Sequence, residues 1–310
     1  MWTSRRSRRR QARGGGVLLA VLWLSAALAA IAFSVAASVR SELDRSATLS
    51  DTIRARYLAR AGVDRGILNL LARTGRPVPS REQWAFPSGV AVVEIIPEQS
   101  RLSLNTGRAD QFVALLLALG APPERAQEIA TGILDWRTPG SRVFDSYYLS
   151  LQPSFLPRHA SFQEEEEVLY VRGMTPELFH GSYTRDQLGR LVRLGAFKDC
   201  VSVYGAVGTI NLSFAEPALM RAFGMAPDLV EQAVASRRAA PPVIRHGADP
   251  HTIYTVRSTA RVGMPNGGLS EVSSTVSARV KFRRMEVVGP PAFQVLRWYE
   301  PAESEVAQWR

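Results

Sequence analysis

The sequence predicts an α+β fold: a long N-terminal helix, apolar in its first half, packed further along on an antiparallel sheet that carries a large, mostly helical inserted domain. Three observations lead there. An apolar run from Val17 to Val39 continues without a proline into an amphipathic stretch ending at Leu71. Alternating, Val- and Thr-rich segments stand on both sides of the middle of the chain. Between them, from Asn105 to Gly247, helical patterns are separated by glycine turns.

The first element is the anchor. Val17–Val39 has the length of apolar chain, about 20 residues, that crosses a bilayer. Its only polar members are Ser25, Ser34 and Ser38, whose hydroxyls can bond back to the helix. Arg5, Arg6, Arg8, Arg9, Arg10 and Arg13 precede it and should stay cytoplasmic, which places Arg40 and the rest of the chain outside. Gly14, Gly15 and Gly16 lie before the apolar run, where a secretory signal peptide would instead carry small residues after it. A single helix from Val17 to Leu71 would be roughly 80 Å long at about 1.5 Å per residue. Leu43, Ala47, Ile53, Tyr57, Ala61, Ile67 and Leu71 form its expected apolar stripe, with Gly62 and Gly66 lowering the local propensity.

The sheet is expected from both flanks. Gly89–Leu104 reads as a hairpin turning at Pro97–Ser100. Thr252–Val262 and Ser270–Phe282 read as strands joined through Pro265, Asn266, Gly267 and Gly268, and Phe293–Trp298 as a last strand. The insertion holds a weak internal repeat, L-S-L-N-T-G-R-A-D-Q-F at Leu102–Phe112 against I-N-L-S-F-A-E-P-A-L-M at Ile210–Met220. Each copy leads into a helix, a glycine turn (Gly120, Gly224) and a second helix entered through Pro123-Glu124 or Pro227-Asp228.

Composition narrows the function. The formal charge of +10 belongs largely to the six leading arginines, without which the chain carries +4. The insertion itself holds 14 basic and 15 acidic residues, so it lacks the basic footprint of a nucleic-acid binder. Neither lysine, Lys198 nor Lys281, follows a glycine, and the chain contains no G-x-S-x-G or H-E-x-x-H motif. The single Cys200 allows no intrachain disulfide and reads as a buried core residue. His159, His180, His246 and His251 fall in expected loops without metal-ligand spacing and read as solvent-facing. The run Glu164–Glu167 reads as a solvated helix start. No catalytic constellation emerges, so an enzyme is not expected.

R-x-G-G-G-V-L-L-A-V-L-W at the N-terminus resembles the class III signal of type IV pilins and type II secretion pseudopilins. A-R-Y-L-A-R-A-G-V-D-R-G resembles the segment that follows pseudopilin anchors. I-L-D-W-R at Ile133–Arg137, Y-Y-L at Tyr147–Leu149, F-Q-E-E-E-E-V-L-Y-V-R-G-M-T-P-E-L-F at Phe162–Phe179 and V-Y-G-A-V-G-T-I-N-L at Val203–Leu212 resemble, in order, the protein K family of minor pseudopilins. Most pilins carry a glutamate at the fifth mature position. Val21 stands there in this chain, as the resemblance to the protein K family implies.

The resemblance implies a basic leader, residues 1–16, cut by a prepilin peptidase between Gly16 and Val17. A transmembrane segment, 17–39, continues as helix to 71. Residues 89–104 and 248–300 make a pilin-like sheet domain, and 105–247 the helical inserted domain. It further implies a single-pass protein of the cell inner membrane with its C-terminal part in the periplasm, at the tip of the secretion pseudopilus. Its partners would be minor pseudopilins I and J and the major pseudopilin, with no nucleic acid. Relatives carry calcium near the D-W motif, which nominates Asp135 and Asp145 as ligands. The other role open to Asp135 is capping or pairing with a neighbouring arginine. The competing reading of the glycine-turn helix pairs is a membrane-anchored helix-hairpin-helix DNA-binding protein. Against it, Pro122 and Ala226 replace the second glycine of such turns, and the acids Glu124 and Asp228 come next, where a cation is wanted.

Overall fold

The structure, a computed structural model, describes residues 14–185, 189, 191–193, 195–264, 267–283 and 292–299. Most of the arginine-rich leader, the turn residues Pro265 and Asn266, and residue 300 onward lie outside the described residues. Helix α1 spans Gly14–Ala72 as one element. Its first half is exposed throughout, and its Gly16–Ala72 portion is long and apolar enough to cross a membrane. Within the apolar run the hydroxyl of Ser25 donates to the Leu22 carbonyl at 2.9 Å, so the helix itself satisfies that polar group.

From Ala55 onward α1 packs on the sheet. Its buried face is Ala55, Leu58, Ala59, Val63, Ile67 and Leu70 together with Gly62 and Gly66. This corrects the expected stripe: Leu43, Ile53 and Tyr57 point outward, and of that set Ile67 is fully buried. The two glycines explain the shift. A Cβ on Gly66 would lie 2.8 Å from Val256 and 2.9 Å from Val93, and one on Gly62 would lie 3.1 Å from the Ala91 Cβ. The face with the smallest side chains sits closest to the sheet, and hydropathy alone does not find it.

The sheet is built from β2 (Arg81–Phe86) and β3 (Gly89–Pro97) before the insertion, and β9 (Ile253–Gly263), β10 (Leu269–Phe282) and β11 (Phe293–Tyr299) after it. A short β1 (Val78–Pro79) lies just ahead and pairs with β8 (Val243–Ile244). Spatial order is β11-β10-β9-β3-β2, antiparallel throughout, with Ala91 opposite Ala260 and Val93 opposite Ser258 at the junction of the two parts. Helix α1 crosses this sheet with Arg65 stacked 4.2 Å from the Trp84 ring on one edge strand and Arg60 4.9 Å from the Trp298 ring on the other. At its end the Leu70 carbonyl accepts from the Ala248 N–H at 3.0 Å, so the returning chain caps the helix.

The expected hairpin over Gly89–Leu104 is wrong in its second half. β3 pairs with β2 instead, through a turn at 87–88. After Pro97 the chain makes a 3-10 turn at Glu98–Ser100 and leaves the sheet. Leu102–Ser103 (β4) then pairs in parallel with Val201–Ser202 (β7). Leu102 and Leu104 are what pull the segment away, because both are buried in the core of the inserted helices.

That second core is formed by α2 (Ala109–Ala118), α3 (Pro123–Arg137), α4 (Asp145–Ser150), α5 (Pro176–His180), α6 (Phe197–Cys200), α7 (Pro217–Ala222) and α8 (Pro227–Ala239). A small ribbon, β5 (Tyr183–Arg185) with β6 (Leu191–Arg193), lies on its surface. The sequence repeat is a structural one. Arg137, ending α3, donates to the carbonyls of Leu104 and Gly107 at 2.6 Å each. Arg237, near the end of α8, donates to those of Leu212 and Ala215, the matching positions, at 2.6 and 2.7 Å. Gly120 and Gly224 take φ of +89° and +86° at the two turns, a conformation that favours glycine.

Candidate functional site

Gly16 and Val17 lie in the first turns of α1 with the peptide bond between them open to the surroundings. Val21, one turn on, is also exposed. Beyond the apolar run, Arg40–Leu49 stands clear of the sheet, and Leu43, Ile53, Tyr57 and Leu68 line the exposed side of α1. The helix therefore has two apolar faces, one covered by its own sheet and one uncovered.

Where the insertion meets the sheet, charged groups are buried together. Glu98 leaves β3, Arg279 projects from β10, and Glu165 starts a 3-10 turn at Glu165–Tyr170. Arg279 donates to Glu165 at 2.8 Å and approaches Glu98 at 3.5 Å, with its guanidinium carbon 5.6 Å from the Tyr204 ring and 5.0 Å from the Tyr299 ring. Glu98 also accepts from the Thr255 hydroxyl and lies 3.5 Å from Arg101. Burial would raise the Glu98 pKa, but the charges of Arg101 and Arg279 and hydrogen bonds from Ser202 and Thr255 outweigh it and hold the carboxyl below its ordinary range.

The glutamate run is thus not a solvated helix start. Glu164 pairs with Arg297 on β11 and Glu165 with Arg279 on β10. Glu167 accepts from the Trp136 indole at 3.2 Å and from the N–H groups of Gln163 and Glu164 at 2.8 and 3.1 Å. Three of four acids hold the insertion together or to the sheet. Cys200 is buried, and burial pushes its thiol pKa well up, which leaves an inert core residue.

The structure brings Asp135 and Asp145 together. It adds His159, the nearest ligand atoms of the three lying within 4.8 Å of one another. One Asp135 oxygen accepts from the Ser141 hydroxyl and from the Val143 N–H at 3.0 Å, the other from the Phe144 N–H at 3.3 Å. His159 bonds the Asp135 carbonyl through Nδ1 at 3.0 Å and Asp145 through Nε2 at 2.9 Å. Burial, which lowers the histidine pKa, is outweighed by these bonds to Asp135 and Asp145, so it lies above its ordinary value. His159 is therefore not the solvent-facing loop residue its sequence context suggests. Calcium fits this donor set poorly: it needs six to eight oxygens, both Asp135 oxygens already serve protein donors, and an imidazole occupies the remaining side.

The arginines that close the helix pairs, Arg137 and Arg237, are turned inward onto carbonyls, and Glu124 and Asp228 occupy the first turns of α3 and α8.

The chain is similar to one in the crystal structure of the GspK-GspI-GspJ complex from the enterotoxigenic Escherichia coli type 2 secretion system. The TM-score is 0.47 and the identity 18%, over 86% of this chain and 99% of that one. No curated protein matches. The family model for type II secretion system (T2SS) protein K matches residues 92–181, which run from β3 through the Asp135 loop and the glutamate run to the end of α5. Residues 92–181 thus carry the pattern of the type II secretion system protein K family.

Proposed function

We propose that the chain is a minor pseudopilin at the tip of the type II secretion pseudopilus, where it helps initiate and cap assembly for the export of folded proteins across the outer membrane. Val21 carries this reading. Cleavage between Gly16 and Val17 by a prepilin peptidase leaves a charged α-amino group at the membrane, where an unpaired charge is costly. A glutamate at the fifth mature position of an incoming subunit would neutralise the amino group of the subunit above. With valine at that position this chain cannot serve a subunit above it, yet it can accept a glutamate from below. The first position suits such a subunit.

Two further features support the reading. The exposed apolar side of α1 offers a surface to neighbouring anchor helices. The inserted helices add bulk that is tolerated at a filament end and would crowd its shaft. The partners in this reading are minor pseudopilins I and J, with the major pseudopilin below. The protein is a single-pass structural component of the cell inner membrane, its C-terminal part periplasmic. Co-purification of a soluble form beginning near Asp44 with soluble forms of I and J tests the proposal. A complex of defined stoichiometry is expected; incorporation all along the filament would defeat it.

A further inference from the structure

The insertion is tied to the sheet by two single crossings of the chain. One runs through Pro97–Gln99, where β3 ends. The other is Ala240–Pro241, just past the end of α8 at Ala239, and these three residues are all exposed. Beyond each crossing the chain joins a different body. The carbonyls of Gln99 and Arg101 accept from the N–H groups of Asn211 and Ala206 of the insertion at 2.9 Å each. The Pro242 carbonyl instead accepts from the Ser80 N–H at 3.1 Å, and β8 pairs with β1 beside the sheet.

The seam between the two bodies is held by Arg279 on Glu165, by Arg297 on Glu164 and by Phe214 on the sheet core. It is incompletely satisfied. Among the described residues, Glu98 Oε2, Arg279 Nε and the Tyr299 hydroxyl are buried without a hydrogen-bond partner, and all three lie at this seam. Tyr204, next to Arg279, also lines a cavity of about 460 Å³ between the bodies, with Val207 and Thr209 on the insertion side and His251 and Ile253 on the other. A buried ion pair adds little cohesion, because its attraction is largely offset by lost hydration. Separating the bodies rehydrates Arg279, Glu98 and Glu165 together and wets the unpaired atoms. An apolar seam would gain nothing from the same water.

We propose that this seam is a hinged joint: the insertion swings off the sheet as a rigid body, about an axis through residues 97–99 and 240–241, with both cores intact. The open form is a minor state in equilibrium with the closed one. Such a joint lets the insertion be re-aimed while α1 and the sheet stay packed.

The test is native-state thiol labelling of the full chain in detergent, read by peptide mass spectrometry. Thr255 pairs with Arg279 across β9 and β10 and is buried at the seam, whereas Cys200 is buried in the core of the insertion. Thr255→Cys therefore reports opening of the seam, and the native Cys200 reports unfolding of the insertion. The thiol at 255 should react at least tenfold faster than Cys200. Its rate should hardly rise in dilute denaturant, because opening exposes little surface, while that of Cys200 rises steeply. Arg279→Met, which strands two acids that opening would rehydrate, should speed reaction at 255 at least tenfold, still with little denaturant dependence. Arg279→Met combined with Glu165→Leu should return it towards the starting rate. Slow labelling of Cys200 shows that each variant is folded. Equal rates at both thiols with the same denaturant dependence would mean that the seam opens only on global unfolding, and would overturn the proposal. So would a rate at 255 that Arg279→Met leaves unchanged.

Discussion

Arg279 and Glu165 face each other at 2.8 Å across the seam between sheet and insertion, each with less than a tenth of its side chain exposed. The pair bridges the sheet core and the insertion core, beside the Glu164–Arg297 pair and the packing of Phe214 on the sheet core. Arg279→Met removes the cation that touches both Glu98 and Glu165 and leaves both acids buried. The expected loss is about 3–5 kcal/mol in denaturant unfolding. Arg297→Met, which removes a half-exposed pair with Glu164, should cost no more than about 1 kcal/mol. Equal losses in the two variants would show that the seam is not held by Arg279.

Acid should open the same seam. The folded Glu98 pKa is held below its ordinary value of 4.5, so its contribution to stability is fully present above pH 4.5 and fades as the pH falls through the folded value. Glu98→Gln should make stability less dependent on pH below 4.5, measured as denaturant midpoints across an acid series. An unchanged slope would remove Glu98 as a cause of acid sensitivity.

Gly66→Ala sets helix propensity against packing. Alanine is the better helix former by about 1 kcal/mol, yet its Cβ would sit 2.8 Å from Val256 and 2.9 Å from Val93. A net destabilisation of about 1–3 kcal/mol is expected from overpacking. A stabilised variant would mean that α1 does not lie as close to the sheet as described.

Processing is checked by mass spectrometry of the mature N-terminus, which should begin at Val17. A terminus near residue 40 would indicate an ordinary signal peptide. A periplasm-dependent reporter fused after Arg310 should be active.

Much of the architecture is legible in residue order, because α1, β9 and β10 are long and strongly patterned. The missed strand, β2, shows the limit. Glu82 shares the helix-facing side with Trp84 and Phe86, and its carboxylate is satisfied there by the Asn69 amide at 2.9 Å. An acid on the inner side breaks the apolar alternation by which a strand is recognised. The helix face is misjudged for the opposite reason: glycine scores as weak, yet here it provides closeness. At the loop, resemblance nominates Asp135 and Asp145, whereas His159 lies 24 residues from Asp135 and carries no local signal. Glu165 carries none either, since its partner Arg279 is 114 residues away.

The glycine notch at Gly62 and Gly66 has a consequence at the far end of the helix. It acts as a keyway: the sheet can seat on α1 at only one azimuth, and a continuous helix carries that azimuth into the bilayer. Val21 is 45 residues from Gly66, roughly 70 Å along the axis, yet its compass bearing is dictated by Val93 and Val256. One extra residue within Arg40–Leu49 would leave both ends folded while swinging the lipid-side bearing by about 100°. Seven extra residues would nearly restore it, displaced by about 10 Å. If neighbouring subunits read that bearing, secretion should fail with one added residue and recover in part with seven.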